Sequence, residues 1–201
     1  MSILSSIFKY MEARGMKLIF AAWLVSKFVP KNKRWAVSQF ITYYPYAYLT
    51  RKRVKSLTGG KVKDIGCGGI TSVSGSTYTG EHVSFNGMII QGGGKVIIGN
   101  WFHSGEGCRI ITQNHNYKGN AIPYDETMIV KDVKIGDFVW LGTNVLILPG
   151  TQIGEGAIIQ AGSVVHGEIP PLAIAGGNPC RVFKYRDKEH FEKLKAEGRF
   201  L

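Results

Sequence analysis

Residues 133–168 read VKIGDFVWLGTNVLILPGTQIGEGAIIQAGSVVHGE, and cut into sixes they fall into step. The third place of each six holds Ile135, Leu141, Ile147, Ile153, Ile159 and Val165, aliphatic every time. Glycine or another small residue usually follows soon after. An α-helix cannot use this pattern, because its apolar stripe recurs about every 3.6 residues. A short fixed period marks a stacked solenoid, in which each unit buries its aliphatic against the equivalent residue of the next. Six residues make one short strand and one corner, and three such sides close a triangular coil of about 18 residues. Upstream, Ile98 and Ile110 stand twelve apart, and Ile65, Val83 and Ile89 fit the period more loosely.

The remaining composition agrees. A chain of 201 residues suits one domain with a short appendage. Its 26 glycines and 44% hydrophobic content suit turn-rich β structure. Cys67, Cys108 and Cys180 stand far apart without CxxC spacing, so neither a zinc site nor a disulfide framework is expected. A reducing, cytoplasmic setting follows. Lys9, Glu12, Arg14 and Lys17 interrupt the start of the chain, which does not read as a secretory signal.

The net charge of +11 is unevenly placed. Residues 1–63 hold 13 Lys and Arg against the single acid Glu12, whereas the rest of the chain holds 12 basic and 13 acidic side chains. Apolar residues recur at helical spacing in this N-terminal part, beside 11 of the chain's 23 aromatics. Its longest uncharged run covers positions 35–50 and contains Pro45. A spanning helix needs about 20 apolar residues, so a membrane crossing is not expected. Two readings remain open: a helix lying in the headgroup plane of an anionic membrane, or a plain helical cap on the solenoid. No nucleic-acid-binding motif accompanies the charge.

The sixes stop just before the run over residues 133–168. Between Ile110 and Ile135 the chain runs ITQNHNYKGNAIPYDETMIVKDVK, too long an interruption to stay inside a tight coil. It must project as a loop, over about residues 114–132, and it displays one imidazole, His115. With a pKa near 6.5 an imidazole is largely unprotonated at neutral pH and can accept a proton.

The stretches IGDFVWLGTNVLILPGTQIGEGAIIQAGSVV and IPPLAIAGGNPCRVFK resemble the hexapeptide-repeat acyltransferases, in particular the galactoside and maltose O-acetyltransferase type. The resemblance covers roughly residues 83–186 and is most specific in its final part, from about position 132 onward. It implies a mainly β fold, a left-handed parallel β-helix over residues 61–186. An N-terminal helical segment (1–60) would precede it and a short C-terminal helix (187–201) would follow. It implies a homotrimer, acetyl-CoA as acyl donor without a metal, and a sugar or glycan acceptor. His115 matches the family's catalytic base, at the root of a loop that reaches towards a neighbouring subunit. Oxyanion donors are implied around Gly142 and Thr143.

For the donor, Gly142, Thr143, Ala161 and Gly162 match positions where the pantetheine arm passes, and Trp140 would flank the thioester. Arg181 and Lys184 would meet the nucleotide phosphates, and His166 would lie beside the cofactor. His166 and Gly167 stand where relatives often place Thr and Lys. Acceptor candidates are Asn86, His103, Glu106, Asn114, Asn116 and Tyr117. Relatives acting on free galactosides carry an acid where this chain has Gly92 to Gly94, so a polysaccharide unit or lipid-linked sugar suits it better. An N-acetyltransferase of an amino-sugar nucleotide and a non-catalytic trimeric scaffold remain as alternatives. The carbonic-anhydrase branch of the fold needs a close HxxxxH pair, absent from the sequence.

Overall fold

The computed structural model describes residues 44–62, 65–69 and 71–201. Both readings of the basic N-terminal part therefore fall largely outside the described residues. The chain divides into two compact units, Met1–Thr50 and Arg51–Leu201, and the second holds the solenoid.

Helix α1 spans Tyr44–Leu57. Pro45 is tolerated because the first turn has no use for its missing N–H. Val54 and Thr58 are buried, while Arg51, Lys52, Arg53 and Lys55 are exposed. The exit follows a familiar glycine pattern: Gly59 and Gly60 take positive φ, and the Gly60 N–H donates to the Lys55 carbonyl at 3.0 Å.

From Ile65 onward the chain winds as a parallel β-helix with three faces. The first face stacks Ile65–Cys67, Val83–Phe85, His103–Ser104, Trp140–Leu141, Ile158–Ile159 and Ala173–Gly176. The second stacks Thr77–Thr79, Val96–Ile98, Val133–Ile135, Gln152–Ile153 and Glu168–Ile169. Met88–Gln91, Cys108–Ile111, Leu146–Ile147 and Val164–Val165 form the third. Pairing within each stack is parallel, with Leu141 beside Ile159 and Ile147 beside Val165, one coil apart in each case. The mainly β helix expected from the sixes is the fold observed.

The aliphatic places of the repeat make the core. Ile135, Leu141, Ile147, Ile153, Ile159 and Val165 are each at most 3% exposed. Ile98, Ile110, Ile65 and Val83 join them. Ile89 does not. It is half-buried, and its neighbours Met88 and Ile90 point inward instead.

Most corners turn through a left-handed residue. At the corner between the second and first faces these are His82, Trp101, Phe138, Gly156 and Leu172, with φ between 55° and 69°. A left-handed conformation costs a non-glycine residue about 1–2 kcal/mol. Aromatic stacking compensates here. His82 lies on Trp101 at 4.1 Å, Trp101 and Phe138 both meet Phe200, and Phe138 meets Phe191 edge-on.

The solenoid ends in Arg181–Tyr185, antiparallel to Ala173–Gly176. Helix α2 follows over Lys188–Ala196, its N-cap Asp187 accepting from the His190 N–H, and it buries Phe191. The three cysteines are buried free thiols. Burial pushes the Cys67 thiol up to about 11 and raises Cys108 and Cys180, so all three pack as neutral groups. No helix among the described residues is long and apolar enough to cross a membrane.

Candidate active site

Ile110 and Ile147 are stacked neighbours, as are Ile147 and Val165, yet about twice as much chain separates the first pair. The surplus is the excursion. It leaves the corner between the third and second faces as an antiparallel hairpin, Gln113–His115 against Met128–Val130. Its root is closed by the Lys131 N–H donating to the Thr112 carbonyl at 2.9 Å.

Polar bonds hold the loop beyond the hairpin. One oxygen of Asp125 accepts from the Thr127 N–H (2.9 Å) and hydroxyl (2.5 Å), and the other accepts from the Asn120 N–H at 3.1 Å. These bonds, led by the Thr127 hydroxyl, hold the Asp125 carboxyl below the usual carboxylate range. The Asn116 amide donates to the Thr127 hydroxyl and accepts from the Lys118 N–H. Asn116, read from the sequence as an acceptor contact, thus commits its side chain to shaping the loop.

His115 is exposed, and its ring lies flat on Tyr124, centroids 3.9 Å apart. The stack fixes the plane and leaves the ring edge open. No hydrogen bond among the described residues occupies either ring nitrogen. Two cavities flank the hairpin strand that carries it. One, about 320 Å³, is lined by Asn114, His115, Tyr117, Lys118, Lys131 and Pro149 among others. The second, about 310 Å³, is walled by Gln91, Gly92, Gln113, Asn114, His115 and Met128. Both are of a size suited to small ligands.

The remaining candidates lie elsewhere on the prism. Trp140 and His103 are register neighbours on the outer side of the first face. Asn86 and Glu106 follow first-face strands, at the corner between the first and third faces. Gly142, Thr143, Ala161 and Gly162 occupy the same corner further along. Gly142 is required there, because a Cβ would stand 2.5 Å from the Ala161 backbone nitrogen. Its N–H is occupied, donating to the Ile159 carbonyl at 2.8 Å. The Thr143 N–H has no acceptor among the described residues and is the free donor of the pair. His166 lies on the His115 corner, between Val165 and Gly167. Arg181 and Lys184 are exposed on the end strand, and one Arg181 nitrogen donates to the Cys180 carbonyl. One chain therefore brings Asn114 and Tyr117 to the cavities at His115 and keeps the Gly142–Thr143 column at another corner.

A larger cavity, about 430 Å³, lies between the first face and α2, lined by Trp101, His103, Phe138, Trp140, Phe191 and Phe200 among others. Its cations are already engaged: Lys195 with Glu155 at 2.6 Å, Arg199 with Glu197, and Arg186 with the Gly156 carbonyl. It lies at the aromatic corner, and His115 does not line it.

Residues 132–167 match the family model described as bacterial transferase hexapeptide, six repeats. That stretch of the solenoid is built of bacterial transferase hexapeptide repeats. Over 64 residues, 30% of this chain, 45% are identical to the galactoside O-acetyltransferase of Escherichia coli (strain K12). That match spans 32% of the E. coli protein's length. A maltose O-acetyltransferase from Clostridium difficile 630 superposes with a TM-score of 0.55 at 28% identity, over 71% of this chain and 89% of that one. A galactoside acetyltransferase in complex with coenzyme A superposes at 0.53 and 22% identity, over 72% of this chain and 84% of its own, a likeness of fold.

Sequence reasoning missed Tyr124, Asp125, Lys118 and Lys131. The repeat carries no signal for them, since they take their places from the hairpin register and the loop bonds.

Proposed function

We propose that the chain is an acetyl-CoA-dependent O-acetyltransferase acting on a sugar hydroxyl, with His115 as general base. The observation that carries this reading is an exposed, stacked imidazole between two cavities at the root of the one long break in the hexapeptide solenoid. Matches to sugar O-acetyltransferases, and to a fold solved with coenzyme A, support it.

His115 takes the proton of the sugar hydroxyl as that oxygen attacks the thioester carbonyl. The Thr143 N–H stabilises the oxyanion. As the C–S bond breaks, the imidazolium returns its proton to the leaving thiolate. Trp140 walls the reacting centre, Gly142, Ala161 and Gly162 leave room for the pantetheine arm, His166 lies beside it, and Arg181 and Lys184 meet the phosphates. His115 and Thr143 stand on different corners of one chain, so the complete site takes each from a different copy. A closed homotrimer meets that need. A polysaccharide unit or lipid-linked glycan is the proposed acceptor. The exposed Arg51–Lys55 cluster of α1 would assist at the inner, anionic face of a membrane.

Substituting His115→Ala is expected to cut transfer about 10²- to 10⁴-fold while coenzyme A binding and the oligomer persist. Steady-state kinetics with acetyl-CoA and a panel of sugars measures this. A variant retaining most of the rate at saturating substrates removes His115 from the mechanism.

A further inference from the structure

The two cavities at His115 share a charge property that no part of the repeat predicts. Among the described residues lining them, none is Asp or Glu, and the side chains with permanent charge are Lys118 and Lys131. Both lysines line the same cavity as the imidazole. Neither has an ion-pair partner among the described residues, and Lys118 has only the Tyr117 ring, 5.8 Å away. The nearby acids are turned away. Asp125 is committed to Thr127 and Asn120, and Asp132 accepts from the Lys95 N–H at 2.8 Å. Glu126 is exposed and lines neither cavity.

The backbone at both lysines is anchored. Lys118 follows the turn fixed by Asn116, whose side-chain oxygen holds the Lys118 N–H at 3.0 Å. Lys131 is anchored at the loop root through Thr112. The solenoid around them is nearly neutral, so this is a local positive field rather than the edge of the basic N-terminal part.

We infer that this site selects its acceptor by charge: Lys118 and Lys131 hold a phosphate or carboxylate on the glycan while a neutral hydroxyl of the same sugar or its neighbour lies at His115. The inference rests on the transferase reading and names the acceptor class within it. In the other cavity the amides of Gln91, Gln113 and Asn114 offer donors and acceptors to uncharged hydroxyls.

The test measures binding by the intact protein to three probes of one sugar: galactose, galactose 1-phosphate and galacturonate. Charge-assisted hydrogen bonds favour the anionic probes about ten- to hundredfold over galactose. The preference is expected to shrink at high salt, because both lysines are exposed. It should collapse towards parity in Lys118→Gln with Lys131→Gln and return with Lys131→Arg. Phosphate and carboxylate arms tell the two anion sources apart. Equal affinity for neutral and anionic probes, or binding of none, overturns the inference. So does a pair of lysine variants that lose coenzyme A affinity while the acceptor ratio holds, since the lysines would then serve the donor. Charge-dependent binding with no transfer to any sugar leaves the anion-binding role of the two lysines standing and removes the transferase reading, and with it their role in choosing an acceptor.

Discussion

The repeat over residues 133–168 and the excursion over 112–131 are held together by different physics. In the repeat one aliphatic in every six is buried, and each coil leans on the next. In the excursion only Thr112 is buried, while Tyr117, Ile122, Tyr124, Met128 and Val130 face outward. Its shape comes from a two-strand ladder and the Asp125–Asn116–Thr127 bonds. Stability thus resides in the stack and the candidate chemistry in a side loop that adds little to the core.

The largest break in that comparison is a charge in the stack. Leu141→Asp buries an unpaired carboxylate at a fully buried place in the solenoid, and cooperative melting is expected to disappear by circular dichroism. Next comes excision. Replacing residues 113–130 by two glycines should leave a solenoid that still melts cooperatively but transfers no acyl group, at least as severe a loss as His115→Ala. A chain that fails to fold after excision would show that the loop carries core stability after all.

Asp125→Ala tests the loop bonds more gently. Transfer is expected to fall on the order of tenfold through misplacement of His115, with the melting temperature nearly unmoved. The same bonds set a pH dependence. The folded-state pKa of Asp125 is depressed, so its contribution to loop order is full above the ordinary carboxylate pKa and fades as pH falls through the lower folded value. Protection of the Asn120 and Thr127 amides relative to their intrinsic exchange rates should therefore fall only in acid, below about pH 4. The smallest effect is expected from Tyr124→Leu. Loss of the stack on His115 costs about two- to tenfold in kcat, and Tyr124→Phe restores it.

These differences explain what can be read from the sequence. The six core places are legible because a coil of constant length keeps phase. Ile89 departs from its expected place because the earlier coils do not keep the six: Phe85 and Ile90, which stand where Leu141 and Ile147 do, are only five residues apart. Ile90 pairs with Ile110 and Thr79 with Ile98, each a longer step along the chain than the one from Ile147 to Val165. A one-residue shift sends the following side chains to the other face of the strand. His115 is legible as a residue out of step. Its neighbours are not, because a loop without a period reveals its partners only through the pairing of His115 with Met128 and the turn that brings Tyr124 back. That the Gly142 N–H is already occupied needs the ladder itself.

Because Thr112 and Lys131 are joined by a backbone bond, the excursion enters and leaves the prism through one narrow neck. Such a neck makes the loop an exchangeable cassette. Loops of other lengths and charges can be spliced at the same two residues without re-solving the packing of a single coil. Grafted libraries between Thr112 and Lys131 are the natural place to redirect the chemistry.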